Sequence, residues 1–159
     1  MLTAKTHEYL TYGLSGAPDV FESLLGGLSD ADPRWDNRVA PDRFSIREVL
    51  AHLADWEPVF IQRIARIRLE DRPVLPDIDE GEVAIKNDYA HSDPRESLRL
   101  FRDRRAGLVA KFESISDDEW ERVGLYRGTD EMTVEGYLSL ISGHDGYHTK
   151  QVAQSLKAD

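Results

Sequence analysis

The stretch Ser45-Ile46-Arg47-Glu48-Val49-Leu50-Ala51-His52-Leu53-Ala54-Asp55-Trp56-Glu57 reads as the opening of an amphipathic helix. Ser45 followed three residues later by Glu48 makes a capping box, in which each side chain takes a backbone N–H that the first turn leaves unpaired. Phe44 is placed to staple against Val49. Val49, His52, Trp56 and Phe60 then descend one face, and Leu53, Ile61, Ile64 and Ile67 widen the stripe. His52 thus stands in the middle of a core-facing stripe. Pro58 is an irregularity within it, and Arg72-Pro73 and Leu75-Pro76 mark its exit.

Working outward, three more helices carry the same signature. The first covers about Thr3 to Leu28, with Leu10, Leu14, Ala17, Phe21, Leu24 and Leu28 on one side. Pro18 falls inside it and is expected to kink or divide it. The third opens at Asp93-Pro94-Arg95-Glu96, a cap, a first-turn proline and an acidic third residue. Leu98, Phe101, Arg105, Leu108, Phe112 and Ile115 follow at near-heptad spacing. The fourth begins near Thr133 and carries Val134, Tyr137, Leu138, Ile141, His144, His148 and Val152 toward Leu156. Ser116 to Trp120 is expected to form a short helical turn, and no strand-like alternation competes. The pattern predicts an all-α four-helix bundle occupying residues 1–159 as a single domain. The long crossover between the second and third helices, Asp71 to Asp93, frees the bundle from simple up-down order.

The chain has 159 residues, of which 40% are hydrophobic and 31% charged, enough for one domain with a substantial core. Its formal net charge of −10 argues against nucleic acid as a partner. Arg99, Arg102, Arg104 and Arg105 are interspersed with Glu96 and Asp103 and read as a solvated, partly paired face. The start MLTAKTHEYL lacks the basic and apolar regions of a secretory signal, and no apolar run approaches membrane-spanning length. With no cysteine there is neither a disulfide nor a thiol nucleophile. These features fit a cytoplasmic protein.

Any reactive centre therefore falls to the histidines. His144 and His148 are four residues apart and project from one face, a turn apart. Ile141 and Val152 flank them at helical spacing, so the pair points toward the core. His52 supplies a third imidazole from another helix, although by itself it reads equally well as a hydrogen-bonded core histidine. Three neutral imidazoles converging in a bundle would hold a divalent metal and leave a coordination position open. An imidazole-only set suits zinc, nickel and some other ions. A ligating imidazole usually donates its second nitrogen to a supporting group. Glu48, Asp55, Asp145 and Gln151 lie near enough in sequence, although the capping box already employs Glu48. Tyr9, Tyr12, Trp56 and Tyr147 are candidates for pocket walls or for plain bundle packing. His7 and His91 read as surface residues, and Asp117-Asp118-Glu119 and Asp79-Glu80 as exposed loop and first-turn charges.

The stretch at residues 45–57, followed much later by Gly143-His144-Asp145-Gly146-Tyr147-His148-Thr149-Lys150-Gln151, resembles the DinB-like superfamily, which includes YfiT-like metal-dependent hydrolases. The resemblance spans nearly the whole chain. It implies a four-helix bundle, a divalent metal (nickel or zinc foremost) held by His52, His144 and His148, and a homodimer. Superfamily members include enzymes that use bacillithiol or mycothiol, which makes a metal-dependent thiol S-transferase the leading expectation. A hydrolase with an activated water is the second. A non-catalytic metal-binding or stress-associated homodimer is the third. A small-molecule substrate follows from either enzyme.

Overall fold

Each long helix starts at a side chain that caps it. Thr3, Ser45, Asp93 and Thr133 each accept a hydrogen bond from a backbone N–H of the first turn, and Ser45 and Glu48 form the complete capping box. The computed structural model describes residues 2–158. Its elements are α1 (Ala4–Leu25), α2 (Ile46–Leu69), α3 (Glu80–Lys86), α4 (Pro94–Glu113), β1 (Val123–Tyr126), β2 (Asp130–Thr133) and α5 (Val134–Ser155). Two short 3₁₀ turns, Pro33–Asp36 and Tyr89–His91, complete them. None of the helices is long and apolar enough to cross a membrane among the described residues.

The four long helices form a bundle in which α4 and α5 each lie against both α1 and α2. Side-chain pairs give the directions. Arg47 donates to the Ser92 carbonyl, Arg104 to the Ala54 carbonyl and Arg68 to the Ser114 carbonyl, so α2 and α4 run parallel. Arg102 meets Asp19 and Arg105 the Leu14 carbonyl, so α1 and α4 run antiparallel. Parallel neighbours cannot be joined by a tight turn. A 24-residue helix is about 36 Å long, and the chain has to travel that distance back before α4 begins. The crossover between α2 and α4 makes this return, carrying α3 and the Tyr89–His91 turn on the way.

Pro18 and Pro58 neither divide nor end their helices. A proline removes the N–H that would bond the carbonyl four residues earlier, leaving a buried acceptor unsatisfied. Here both freed carbonyls are taken by adjacent arginines of α4. Arg105 donates to the Leu14 carbonyl at 3.1 Å and Arg104 to the Ala54 carbonyl at 2.8 Å. The expected solvated arginine face is thereby corrected, because Arg105 is only 1% exposed.

The core falls into two apolar clusters. Phe21, Leu25, Trp35, Ile46, Leu50 and Phe101 fill the end where α2 begins, and Ile64, Ile67, Phe112, Trp120, Val134 and Leu138 fill the opposite end. A polar layer lies between them. Arg105 donates to both oxygens of Glu57, at 2.9 and 2.6 Å, and to both oxygens of Asp145. With the Leu14 carbonyl, these bonds use all five guanidinium N–H groups.

Two further expectations are corrected. Ser116 to Trp120 forms a turn, with Glu119 N–H donating to the Ser116 carbonyl, but an antiparallel hairpin follows it where no strand was expected, pairing Val123 with Thr133 and Tyr126 with Asp130. Four-residue strands offer too few alternations to register in sequence. β1 also brackets the crossover, with Leu75 N–H donating to the Leu125 carbonyl and Leu125 N–H to that of Pro73. Gly124 permits this closeness, since a Cβ there would lie 2.8 Å from Ile67 Cγ1. His7 is buried rather than on the surface. Its ring stacks on Trp120 at 3.9 Å and its Nε2 lies 2.9 Å from Glu135 Oε1, whereas His91 is exposed as expected.

Candidate metal centre

His52 projects from the middle of α2, and His144 and His148 from successive turns of α5. Because α2 and α5 pack against each other, these turns meet at one level. One ring nitrogen from each histidine lies within 4.8 Å of the other two. His52 Nε2 and His144 Nε2 are 3.0 Å apart. Two nitrogens each about 2.0–2.1 Å from a shared ion, at angles between 90° and tetrahedral, would be separated by about 2.9–3.4 Å. The spacing fits one ion.

The remaining nitrogens decide the fit further. His148 Nδ1 lies 3.0 Å from Gln151 Oε1, and the Gln151 amide N–H₂ donates to the Phe44 carbonyl at 2.9 Å. That second bond fixes which end of the amide faces the imidazole. His148 therefore carries its proton on Nδ1 and leaves Nε2 as a lone pair toward the cluster. His52 Nδ1 and His144 Nδ1 are buried without a hydrogen-bond partner. In two neutral imidazoles facing each other through Nε2, only one of those nitrogens can donate. A cation between them would use both lone pairs at once.

Burial also keeps the His52 and His148 rings neutral. It pushes His52 down to about 2 and His148 down to about 4, with each neighbouring imidazole adding to the effect. The unfolded chain takes up these protons below about pH 6.5, while the folded chain resists them. Stability present above that pH is lost as the solution is acidified toward the folded values. Urea unfolding of metal-free protein should show stability falling below pH 6.5 by about 1.4 kcal/mol per pH unit for each histidine. A flat profile from pH 7 to pH 5 would contradict the buried, neutral assignment.

Aromatic rings wall the cluster. Trp56 lies 4.6 Å from the His52 ring, Phe60 meets His144 edge-on at 5.7 Å, and Tyr147 meets His148 edge-on at 5.0 Å. A cleft of about 460 Å³ opens on His144 and His148, bordered by Arg43, Phe44, Glu80 and Tyr147. Arg43 donates to the Tyr147 hydroxyl at 3.3 Å across this mouth. Among the described residues, the cluster contains three histidines and no carboxylate, so the cleft side is left for solvent or substrate.

The other sequence candidates divide. Trp56, Tyr147 and Gln151 are at the site. Glu48 is not, since its carboxylate accepts from Ser45 N–H at 2.7 Å and pairs with Arg38. Asp145 sits 3.9 Å from His144 Nδ1, but its oxygens belong to Arg105. Burial works to raise its carboxyl, but the hydrogen bonds and positive charge of Arg105 prevail and hold it below the usual carboxylate range. Asp55 accepts from Asn87, Tyr89 and Arg104, away from the histidines. Tyr9 and Tyr12 are exposed on α1 and neither wall the site nor pack in the bundle. Sequence reading missed the Phe44 carbonyl, which carries no side-chain signal, and also Glu57 and Arg105.

The sequence profile of the DinB superfamily matches residues 14–152. The chain belongs to this superfamily. Among its relatives, a Bacillus licheniformis protein named "Putative metal-dependent hydrolase" is 26% identical over 145 residues, 91% of this chain and 81% of the relative. YuaE of Bacillus subtilis, named an uncharacterized protein, is 25% identical over 147 residues, covering 82% and 86%. The fold matches that of Bacillus subtilis YfiT, described as a probable metal-dependent hydrolase with an unusual four-helix bundle topology. The TM-score is 0.89 at 19% identity, over 98% of this chain and 88% of that one.

Proposed function

We propose that this DinB protein is a metal-dependent hydrolase of small molecules, with His52, His144 and His148 as the ligands of a divalent ion. The observation that carries the reading is the convergence of three imidazole nitrogens at the floor of an open cleft, with no fourth protein ligand among the described residues. A structural zinc site is normally closed by four protein ligands, whereas a catalytic one keeps a position free. The name of the Bacillus licheniformis relative supports the same choice. When bound, a divalent ion would supply Lewis acidity toward a carbonyl and lower the pKa of a coordinated water.

The chain's own residues do the rest. Gln151 holds the His148 ring in one tautomer and orientation. Trp56 and Phe60 set their rings against His52 and His144 and make that side of the site apolar. Zinc and nickel both suit the donor set. Thiol transfer rests on no particular feature of the cleft and enters as an arm of the test.

Zinc- or nickel-loaded protein should hydrolyse members of a panel of small esters, amides and lactones, incorporating oxygen from ¹⁸O-labelled water. Chelator-treated protein should not. Turnover of electrophiles only when bacillithiol or mycothiol is added would replace hydrolysis with S-transfer. Inactivity throughout would leave a metal-binding protein. The homodimer is carried forward as part of the proposal, and sedimentation equilibrium should return twice the chain mass of 18.1 kDa.

A further inference from the structure

Beside His144 the site continues into a second cavity of about 360 Å³, walled by Trp56 and Phe60 of α2, Tyr126 of β1 and Tyr137 of α5. Arg63 lies at this cavity and is only 5% exposed. One of its Nη2 hydrogens goes to the Pro76 carbonyl at 2.7 Å, and its Nε–H has no partner. The hydroxyl of Tyr137, a residue 1% exposed and lining the same cavity, has no acceptor for its proton and lies beside the Arg63 guanidinium.

Arg105 shows what this chain does with a structural buried guanidinium: it gives it two carboxylates and fills all five donors. Arg63 receives no carboxylate among the described residues. A buried cation left that way is costly, because desolvation is not offset by a counter-charge. Burial pushes the Tyr137 phenol up, so it remains an O–H donor at neutral pH. Two residues with unused donors, one of them cationic, thus line an aromatic cavity that opens onto the candidate metal centre.

We propose that Arg63 and Tyr137 form a carboxylate-binding subsite, and that the substrate is a small monocarboxylate with an apolar body. Tyr137 precedes His144 by two helical turns, a rise of about 10 Å. The carboxylate sits at Arg63 and Tyr137, the body lies against Trp56 and Phe60, and the scissile group reaches the histidines. Among the described residues Glu80 is the one acidic residue lining the cavity, and its charge favours a single carboxylate over a dianion. The subsite assigns a substrate class to the hydrolase reading and rests on it for the placement of the reacting end, but not for anion binding itself.

Calorimetric titration with 3-phenylpropionate and with its neutral amide tests this in metal-free wild-type protein. The carboxylate should bind and the amide should bind at least about 10-fold more weakly, since hydrogen bonds to a charged group carry the difference. Arg63→Gln should weaken the carboxylate by about 10- to 100-fold, and Tyr137→Phe, which changes no packing volume of note, by about 3- to 10-fold. Circular dichroism confirms folding of each variant, and Tyr137→Phe decides the outcome if Arg63→Gln does not fold. Equal binding of acid and amide would overturn the subsite, as would wild-type affinity in Tyr137→Phe. So would binding confined to metal-loaded protein, or no binding at all. Metal content, measured in parallel, reports separately on the three histidines.

Discussion

His148→Ala leaves the protein folded but unable to retain stoichiometric metal. The wild-type chain, loaded with zinc or nickel and dialysed, should hold one equivalent by elemental analysis. The variant should hold almost none. Alanine is a good helix former, so α5 persists, while the lone pair that Gln151 aims at the cluster is gone. Loss of a supporting hydrogen-bond partner costs metal affinity roughly 10- to 100-fold, and loss of a ligand costs more. Chelator competition should therefore rank wild type above Gln151→Ala, and Gln151→Ala above His148→Ala. Full metal occupancy in His148→Ala would remove the three-histidine centre from consideration.

Arg105→Leu should destabilise the metal-free protein by about 3–5 kcal/mol, read from urea unfolding midpoints at constant slope. The loss comes from what the arginine leaves behind. Glu57 and Asp145 become buried carboxylates without a counter-charge, and the Leu14 carbonyl, already freed by Pro18, loses its donor. Burial already pushes the Glu57 carboxyl up even with Arg105 beside it. A triple variant that also carries Glu57→Met and Asp145→Leu should recover most of the stability, since an apolar layer has no charge to desolvate. If Arg105→Leu unfolds within about 1 kcal/mol of wild type, the triad does not hold the centre of the bundle together.

The same layer shows what sequence reading can carry. Arg105 stands on the core stripe of its helix, between Phe101 and Leu108, yet its neighbours Arg99, Arg102 and Arg104 made a solvated face the simpler reading. Periodicity reports which face a residue occupies, and only a partner on another helix makes a buried charge affordable. Glu57 and Asp145 are 88 positions apart and gave no sign of sharing a guanidinium. Arg63 likewise follows Phe60 by three residues on the α2 stripe. That spacing was the available signal for a polar group facing inward. The hairpin escaped for a different reason: its strands are held by pairing with each other and with the crossover, and such bonds leave little trace in a four-residue pattern.

By itself the sequence determined the four helices, the caps at Ser45 and Asp93, the long crossover and the inward phase of His52, His144 and His148. All of these are local or periodic properties, set by hydrogen bonds and side-chain spacing within one element. Only the tertiary structure decided that α2 and α4 run parallel, that both prolines are tolerated through arginines of α4, and that three imidazoles face one point. It alone placed Arg63 and Tyr137 in one cavity beside them. Those facts depend on which helices become neighbours and at what height they meet. Packing of whole faces sets both, and no single stretch of the chain contains them.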